Sequence, residues 1–160
     1  MSSMYYCYYT APFGELLLTG SKTSLFSVHF PANHKRKSPP ENFSLDKKAF
    51  LNALDQLDAY FEGSLKRFDL NLTPHGTDFQ KKVWKALLRI EYGKTAAYSE
   101  IAEMIGNPKA SRAVGMANSK NPIPIIIPCH RIIGKNGSLT GFGGGLKIKQ
   151  FLLDLENHGR

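Results

Sequence analysis

Residues 99–117 read SEIAEMIGNPKASRAVGMA. Ser99 can open a helix whose Ile101, Ala102 and Ile105 share one face, and Gly106-Asn107-Pro108 stops it. After that short turn Ala110, Ala113, Val114 and Ala117 recur at i, i+3, i+4 and i+7, which predicts a second helix. Two short helices about a glycine-containing turn are the outline of a helix-turn-helix. The small side chains of the second helix permit close approach to another surface. Lys109 and Arg112, near its N-terminal end, suit phosphate oxygens and base edges. The outline alone also fits ordinary helix packing.

Charge favours the first alternative. The chain of 160 residues carries 21 Lys and Arg against 13 Asp and Glu, a net +8. The first seventy residues hold eight basic and seven acidic side chains, the remaining ninety thirteen and six. No Asp or Glu occurs from Met104 to Leu153, whereas Lys109, Arg112, Lys120, Arg131, Lys135, Lys147 and Lys149 do. Dispersed among apolar and glycine-rich segments, these cations predict a folded basic surface and a polyanionic partner. Composition is that of a globular protein, with 42% hydrophobic residues, and excludes disorder and coiled coil.

Outward from the helix pair, Thr77-Asp78-Phe79-Gln80 announces a helix through a Thr cap and a Gln three residues on. Phe79, Val83, Leu87, Leu88 and Ile90 supply its core stripe, with the lone Trp84 beside them. Further upstream, Phe50, Leu54, Leu57 and Phe61 predict a helix ending near Gly63. Met4–Thr10, Gly14–Thr19 and Leu25–Phe30 read as strands of a small antiparallel meander. Residues 31–41, with Lys35-Arg36-Lys37 and Pro39-Pro40, read as a loop. Two domains are expected, 1–71 containing the sheet and 72–160 mostly helical. At the C-terminus Ile148, Phe151, Leu152 and Leu155 predict an inward helical face, with Glu156 next to it.

Chemistry concentrates in residues 121–131, NPIPIIIPCHR. A cysteine beside a histidine suggests a nucleophile, because imidazole can take the thiol proton and leave a thiolate. Neighbours on a strand point to opposite faces, but a turn after Pro128 could bring Cys129 and His130 into one pocket. A structural Cys129 is the competing reading. Gly134, Gly137, Gly141, Gly143, Gly144 and Gly145 follow, and such backbone admits a flat ligand or offers amide donors. Cys7 and Cys129 form no C-x-x-C pair, so neither a disulfide framework nor a zinc site is expected. The longest strongly apolar run, Ile123 to Pro128, is far too short to span a membrane, and no signal peptide is evident. A cytoplasmic, monomeric protein without metal or cofactor is expected.

These residues resemble a known family. Pro128-Cys129-His130-Arg131, preceded by Asn121-Pro122 and followed by residues 139–144, LTGFGG, looks like the signature of the methylated-DNA protein-cysteine methyltransferases, which repair 6-O-alkylguanine. The likeness extends through Gly76 to Gln80, Val83-Trp84, Tyr98 and Arg112 to Gly115, and on to Glu156. It is looser before Asn71, where Ala11-Pro12-Phe13-Gly14 and Tyr60-Phe61-Glu62-Gly63 fit.

The resemblance implies an α/β (α+β) chain: a small N-terminal antiparallel sheet domain of ribonuclease-H-like topology, then a mostly helical domain with a winged-helix-like helix-turn-helix. It implies that Cys129 accepts the alkyl group from a flipped-out base in double-stranded DNA, irreversibly and once per molecule. The lesion would be 6-O-methylguanine, with 4-O-methylthymine as a second candidate. His130 would draw the thiol proton through a water, Glu156 would orient His130, and Asn121 would hold the cysteine's turn. Arg112 would fill the extruded nucleotide's place, with Lys109, Ala110 and Ser111 against the duplex. Tyr98 would press on the target phosphate and serve the departing guanine. Tyr98, Ile132, Phe142 and Gly143 would line the base pocket; the family often has Tyr where Phe142 stands and a larger residue at Gly143. A thiolate persisting below the ~8.5 of a free cysteine is expected. The alternatives are a non-catalytic helix-turn-helix binder of alkylated DNA and a cysteine hydrolase.

Overall fold

A computed structural model describes residues 3–134, 137, 142 and 144–158. The chain divides into two compact units, Met1–Pro74 and His75–Arg160. No helix among the described residues is long and apolar enough to cross a membrane.

The first unit is built on three consecutive antiparallel strands, β1 (Tyr5–Ala11), β2 (Gly14–Gly20) and β3 (Leu25–His29). Ala11 pairs with Gly14 across the Pro12-Phe13 turn, where Gly14 takes φ +131°, a backbone conformation that favours glycine. The middle strand is buried continuously from Leu16 to Thr19, so it is covered on both faces. Gly20, its last residue, leaves room for the Ser24 carbonyl, which a Cβ there would clash with. The meander is extended by β4 (Ser44–Leu45), which pairs parallel to β1 and makes the sheet mixed in the order β3-β2-β1-β4. Two exposed residues carry no pattern of their own, which is why periodicity misses this strand. A 3-10 turn at Lys47–Phe50 leads into α1 (Leu51–Phe61), which buries Ala53, Leu54, Leu57 and Tyr60. Phe61, expected in that stripe, is half-buried and stacks on Tyr9, whose hydroxyl donates to Asp58 at 2.8 Å.

The second unit opens with α2 (Asp78–Leu87), entered through a complete capping box. Gln80 N donates to Thr77 Oγ1 at 3.1 Å, and Thr77 N donates to Gln80 Oε1 at 2.9 Å. Val83, Trp84 and Leu87 are buried, but Leu88 is exposed: it lies past the last helical residue, off the buried face. β5 (Ala96–Ala97) leads into α3 (Tyr98–Met104), and α4 (Ser111–Ser119) follows after a turn in which Gly106 takes φ +77°. Trp84 Nε1 donates to the Ala117 carbonyl at 2.8 Å and ties α2 to α4. α4 buries Val114 and Ala117 of the expected stripe together with Asn118, while Ala110 is half-buried and Ala113 exposed, so its inner face is rotated slightly from the one read in the sequence. Residues 123–132 are buried without interruption and end in β6 (Ile132–Ile133), parallel to β5. α5 (Leu146–His158) closes the unit.

Candidate active site

The path to Cys129 is a buried turn rather than a strand. Asn121 holds it: its Nδ2 donates to the Ile127 carbonyl at 2.8 Å and its Oδ1 accepts from Ile123 N at 3.0 Å. Between those anchors Ile125 takes φ +74°, a costly conformation for a β-branched residue, sustained here by burial and the bonds on either side. Cys129 N donates to the Ile127 carbonyl at 2.8 Å, and a 3-10 turn carries Cys129, His130 and Arg131. All three side chains are buried, so the turn brings the cysteine and the histidine inside together.

α5 supplies the other half. Sequence periodicity points Ile148, Phe151, Leu152 and Leu155 inward; Leu152 is buried, Ile148 and Leu155 are half-buried and Phe151 is exposed, while Lys149 and Glu156 share the buried face with Leu152 at i, i+3, i+7. The helix is rotated because its two buried charges find partners. Glu156 Oε2 lies 2.7 Å from His130 Nε2. Arg131 grips the same carboxylate with two donors, Nε to Oε1 at 2.8 Å and Nη2 to Oε2 at 3.0 Å, while its Nη1 donates to the Ile90 carbonyl at 2.7 Å. Lys149 Nζ donates to the Ile132 carbonyl. Arg131 and Lys149, counted in the sequence as part of a basic surface, are therefore interior groups. Lys109, Arg112, Lys120 and Lys147 remain exposed. The signal for Lys149 was its seven-residue spacing from Glu156, which puts both on one helical face.

Electrostatics follow from burial. Burial pushes the Cys129 thiol up to about 11, against an Asn121 hydrogen bond and the Lys149 charge that pull it down. That direction is opposite to the low thiol expected from the adjacency of Cys129 and His130. Burial also draws His130 below the ordinary histidine range, overriding the Glu156 hydrogen bond and charge. Burial draws Lys149 down as well. It pushes the Glu156 carboxyl up, but the hydrogen bonds and charges of His130 and Arg131 outweigh it and hold the carboxyl far below the usual range. Glu156 is anionic, so His130 Nε2 carries the proton and the neutral ring presents a lone pair at Nδ1. That Nδ1 is buried and has no hydrogen-bond partner among the described residues; Asn118 Oδ1 is the same, while Asn118 Nδ2 donates to the Cys129 carbonyl at 3.4 Å.

The other predicted residues fall in two places. Ile132 is fully buried in β6, immediately after the turn, and Phe142 is half-buried. Gly143 lies outside the described residues, as do Leu139, Thr140 and Gly141 of the glycine-rich segment. Tyr98 begins α3 and lies against α4 at Gly115, where a Cβ would stand 3.6 Å from its ring. Ala110 precedes α4, Ser111 and Arg112 open it, and Lys109 and Arg112 are exposed. Among the described residues no group of His, Cys, Asp and Glu could hold a metal ion.

Comparison with known proteins bears on both units. Residues 78–158 match the model of the DNA binding domain of 6-O-methylguanine DNA methyltransferase, and residues 4–74 match that of its ribonuclease-like domain. The methylated-DNA protein-cysteine methyltransferase of Methanosarcina acetivorans is 54% identical over 153 residues, covering 96% of this chain and 98% of its own. Its namesake in Mycobacterium bovis is 51% identical over 146 residues, covering 91% and 88%. The crystal structure of Mycobacterium tuberculosis OGT in complex with DNA superposes with a TM-score of 0.90 at 48% identity, over 97% of this chain and 94% of that one. With a family model matched over each unit and relatives this similar along nearly their whole length, the chain belongs to the 6-O-methylguanine DNA methyltransferase family.

Proposed function

We infer that this chain repairs DNA by moving the alkyl group of an alkylated guanine, 6-O-methylguanine first, onto the sulfur of Cys129. The observation that carries the reading is the buried Cys129-His130 pair, with Glu156 fixing His130 Nε2 at 2.7 Å and leaving Nδ1 as the free base. The thiol proton passes to Nδ1 through a water, and the sulfur attacks the alkyl carbon. The carbon–oxygen bond breaks as the carbon–sulfur bond forms. The departing guanine takes up a proton, with the Tyr98 hydroxyl as its donor or hydrogen-bond partner. The product thioether has no good leaving group, so Cys129 is spent and one molecule repairs one lesion.

A lesion inside the stack cannot reach a buried sulfur, so the nucleotide must be turned out of the duplex. The exposed cations at the start of α4 suit that task. Arg112 takes the extruded nucleotide's place, while Lys109, Ala110 and Ser111 meet the backbone. Tyr98, Ile132 and Phe142 line the pocket that receives the base. The protein acts as a monomer, and 4-O-methylthymine is a second substrate of the same chemistry.

The decisive experiment mixes the chain with duplex containing 6-O-methylguanine and measures its intact mass and modified peptide. Transfer adds one methyl per molecule on the peptide holding Cys129, and Cys129→Ser abolishes it. A chain that binds the duplex and stays unmodified would be a lesion binder and would sink the reading.

A further inference from the structure

The solvent face of α4 carries more than cations. Arg112, Ala113, Met116, Ser119 and Lys120 are all exposed, at i, i+1, i+4, i+7 and i+8. The opposite face, Val114, Ala117 and Asn118, is buried. Met116 stands at the centre of the outer face with 69% of its surface exposed, the highest of the exposed large hydrophobic side chains among the described residues. A solitary exposed apolar side chain is unremarkable by itself. This one has Arg112 one turn before it and Lys120 one turn after it, small residues beside it, and no acidic residue in the surrounding sequence from Met104 to Leu153. Cations at both ends and an apolar centre complement a nucleic-acid groove: phosphates along the walls, sugar and base edges on the floor. A protein partner of ordinary composition would leave those cations unmatched.

We propose that Met116 is a duplex-contacting residue, packing against the groove floor one helical turn from Arg112 and supporting the opened stack. The four residues from Arg112 to Met116 rise about 6.0 Å, a little under two base steps of about 3.4 Å each. If the helix runs along the groove, Met116 meets the duplex about two steps from the nucleotide that Arg112 replaces. Apolar side chains serve this purpose in other groove binders, where they hold unstacked steps apart. The inference rests on the reading of α4 as the duplex-binding helix.

The test measures affinity for a duplex containing 6-O-methylguanine across a series of salt concentrations, in full-length Cys129→Ser chain so that no transfer intervenes. Met116→Ala, at an exposed helical position, leaves the fold intact and is expected to weaken binding about five- to tenfold, the value of burying part of a methionine side chain. The slope of log affinity against log salt stays unchanged, because no phosphate contact is lost. Lys120→Ala lowers that slope by about one. Met116→Leu restores the affinity. Met116→Ala binding like its parent, or changing the salt slope, overturns the proposal. So does an equal loss in methyl transfer from free 6-O-methylguanine base, measured with Cys129 present, which would put the effect in the alkyl site. A parent chain that fails to bind duplex at all refutes the reading of α4 itself, a distinct result.

Discussion

Glu156→Gln keeps the shape of a buried side chain and removes its charge. In the native chain the carboxylate accepts from Arg131 Nε at 2.8 Å, from Arg131 Nη2 at 3.0 Å and from His130 Nε2 at 2.7 Å. A glutamine must point its NH₂ at one of those donors, and it leaves the Arg131 guanidinium, only 7% exposed, without a counter-charge. Breaking a buried pair from one side costs about 3–5 kcal/mol, a large part of the stability of a domain. Trp84, the single tryptophan, is buried in the same unit, so denaturant unfolding followed by its fluorescence reads the effect where it occurs. The pH dependence has a definite sign. The folded Glu156 carboxyl lies below its ordinary value, so its contribution is complete above about 4.3 and fades as pH falls toward the folded value. The gap between native and Glu156→Gln chains is therefore widest near neutrality and narrows below about pH 4. A gap under about 1 kcal/mol at neutral pH, or one that does not narrow in acid, would refute the assigned charge network. Replacing Glu156 and Arg131 together by leucine and methionine should cost less than Glu156→Gln, because no buried charge is stranded.

Other outcomes follow from the same geometry. The Cys129 thiol of the free protein should react with a small alkylating reagent at a rate that climbs toward about pH 11, read from the modified peptide; a plateau below about 8 contradicts its burial. Lys149→Met removes a charge that favours the thiolate and should slow single-turnover transfer about tenfold near neutrality, the effect of one unit in thiol pKa; an unchanged rate refutes that role. Arg112→Ala should reduce transfer from duplex more than transfer from a free guanine-type substrate, since only the duplex needs a nucleotide turned out; equal losses contradict it. Thr77→Ala removes half of the α2 capping box and should lower stability by about 1 kcal/mol in the Trp84 transition, whereas Thr77→Ser should keep it.

What the sequence made legible and what it hid divide along physical lines. Local chemistry was readable: Thr77 and Gln80 close a cap within four residues, and Gly106-Asn107-Pro108 ends α3 where it should. The meander was readable because alternation and breaks suffice for neighbouring strands. β4 was not, since two residues pair with β1 through the backbone alone. Hydropathy placed Val114, Ala117 and Leu152 inward correctly but missed Asn118, Lys149 and Glu156, which share those buried faces. A polar residue is buried only when its partners are, and those partners, the Cys129 and Ile132 carbonyls, His130 and Arg131, lie on a distant turn. Cys129 and His130 stood out by adjacency, but the low thiol expected of the pair neglected the desolvation that full burial imposes.

That raised thiol is consistent with a nucleophile once the interior charges are counted. Glu156 and Arg131 neutralise each other through two hydrogen bonds, so the carboxylate holds His130 in one tautomer without adding net charge. Lys149 is the remaining buried cation among the described residues, bonded to the carbonyl of Ile132. Burial penalises an isolated ammonium and an isolated thiolate alike, which is why Lys149 is drawn down and Cys129 is pushed up. The two penalties oppose each other as a pair: each charge, once formed, stabilises the other in surroundings of low dielectric. Burial of this kind favours the protonated sulfur while the site is empty. The site favours charge separation only when a bound base takes up the electron pair from the breaking carbon–oxygen bond. For the single-turnover transfer proposed above, a quiet resting thiol is an advantage that a freely ionised one would lack.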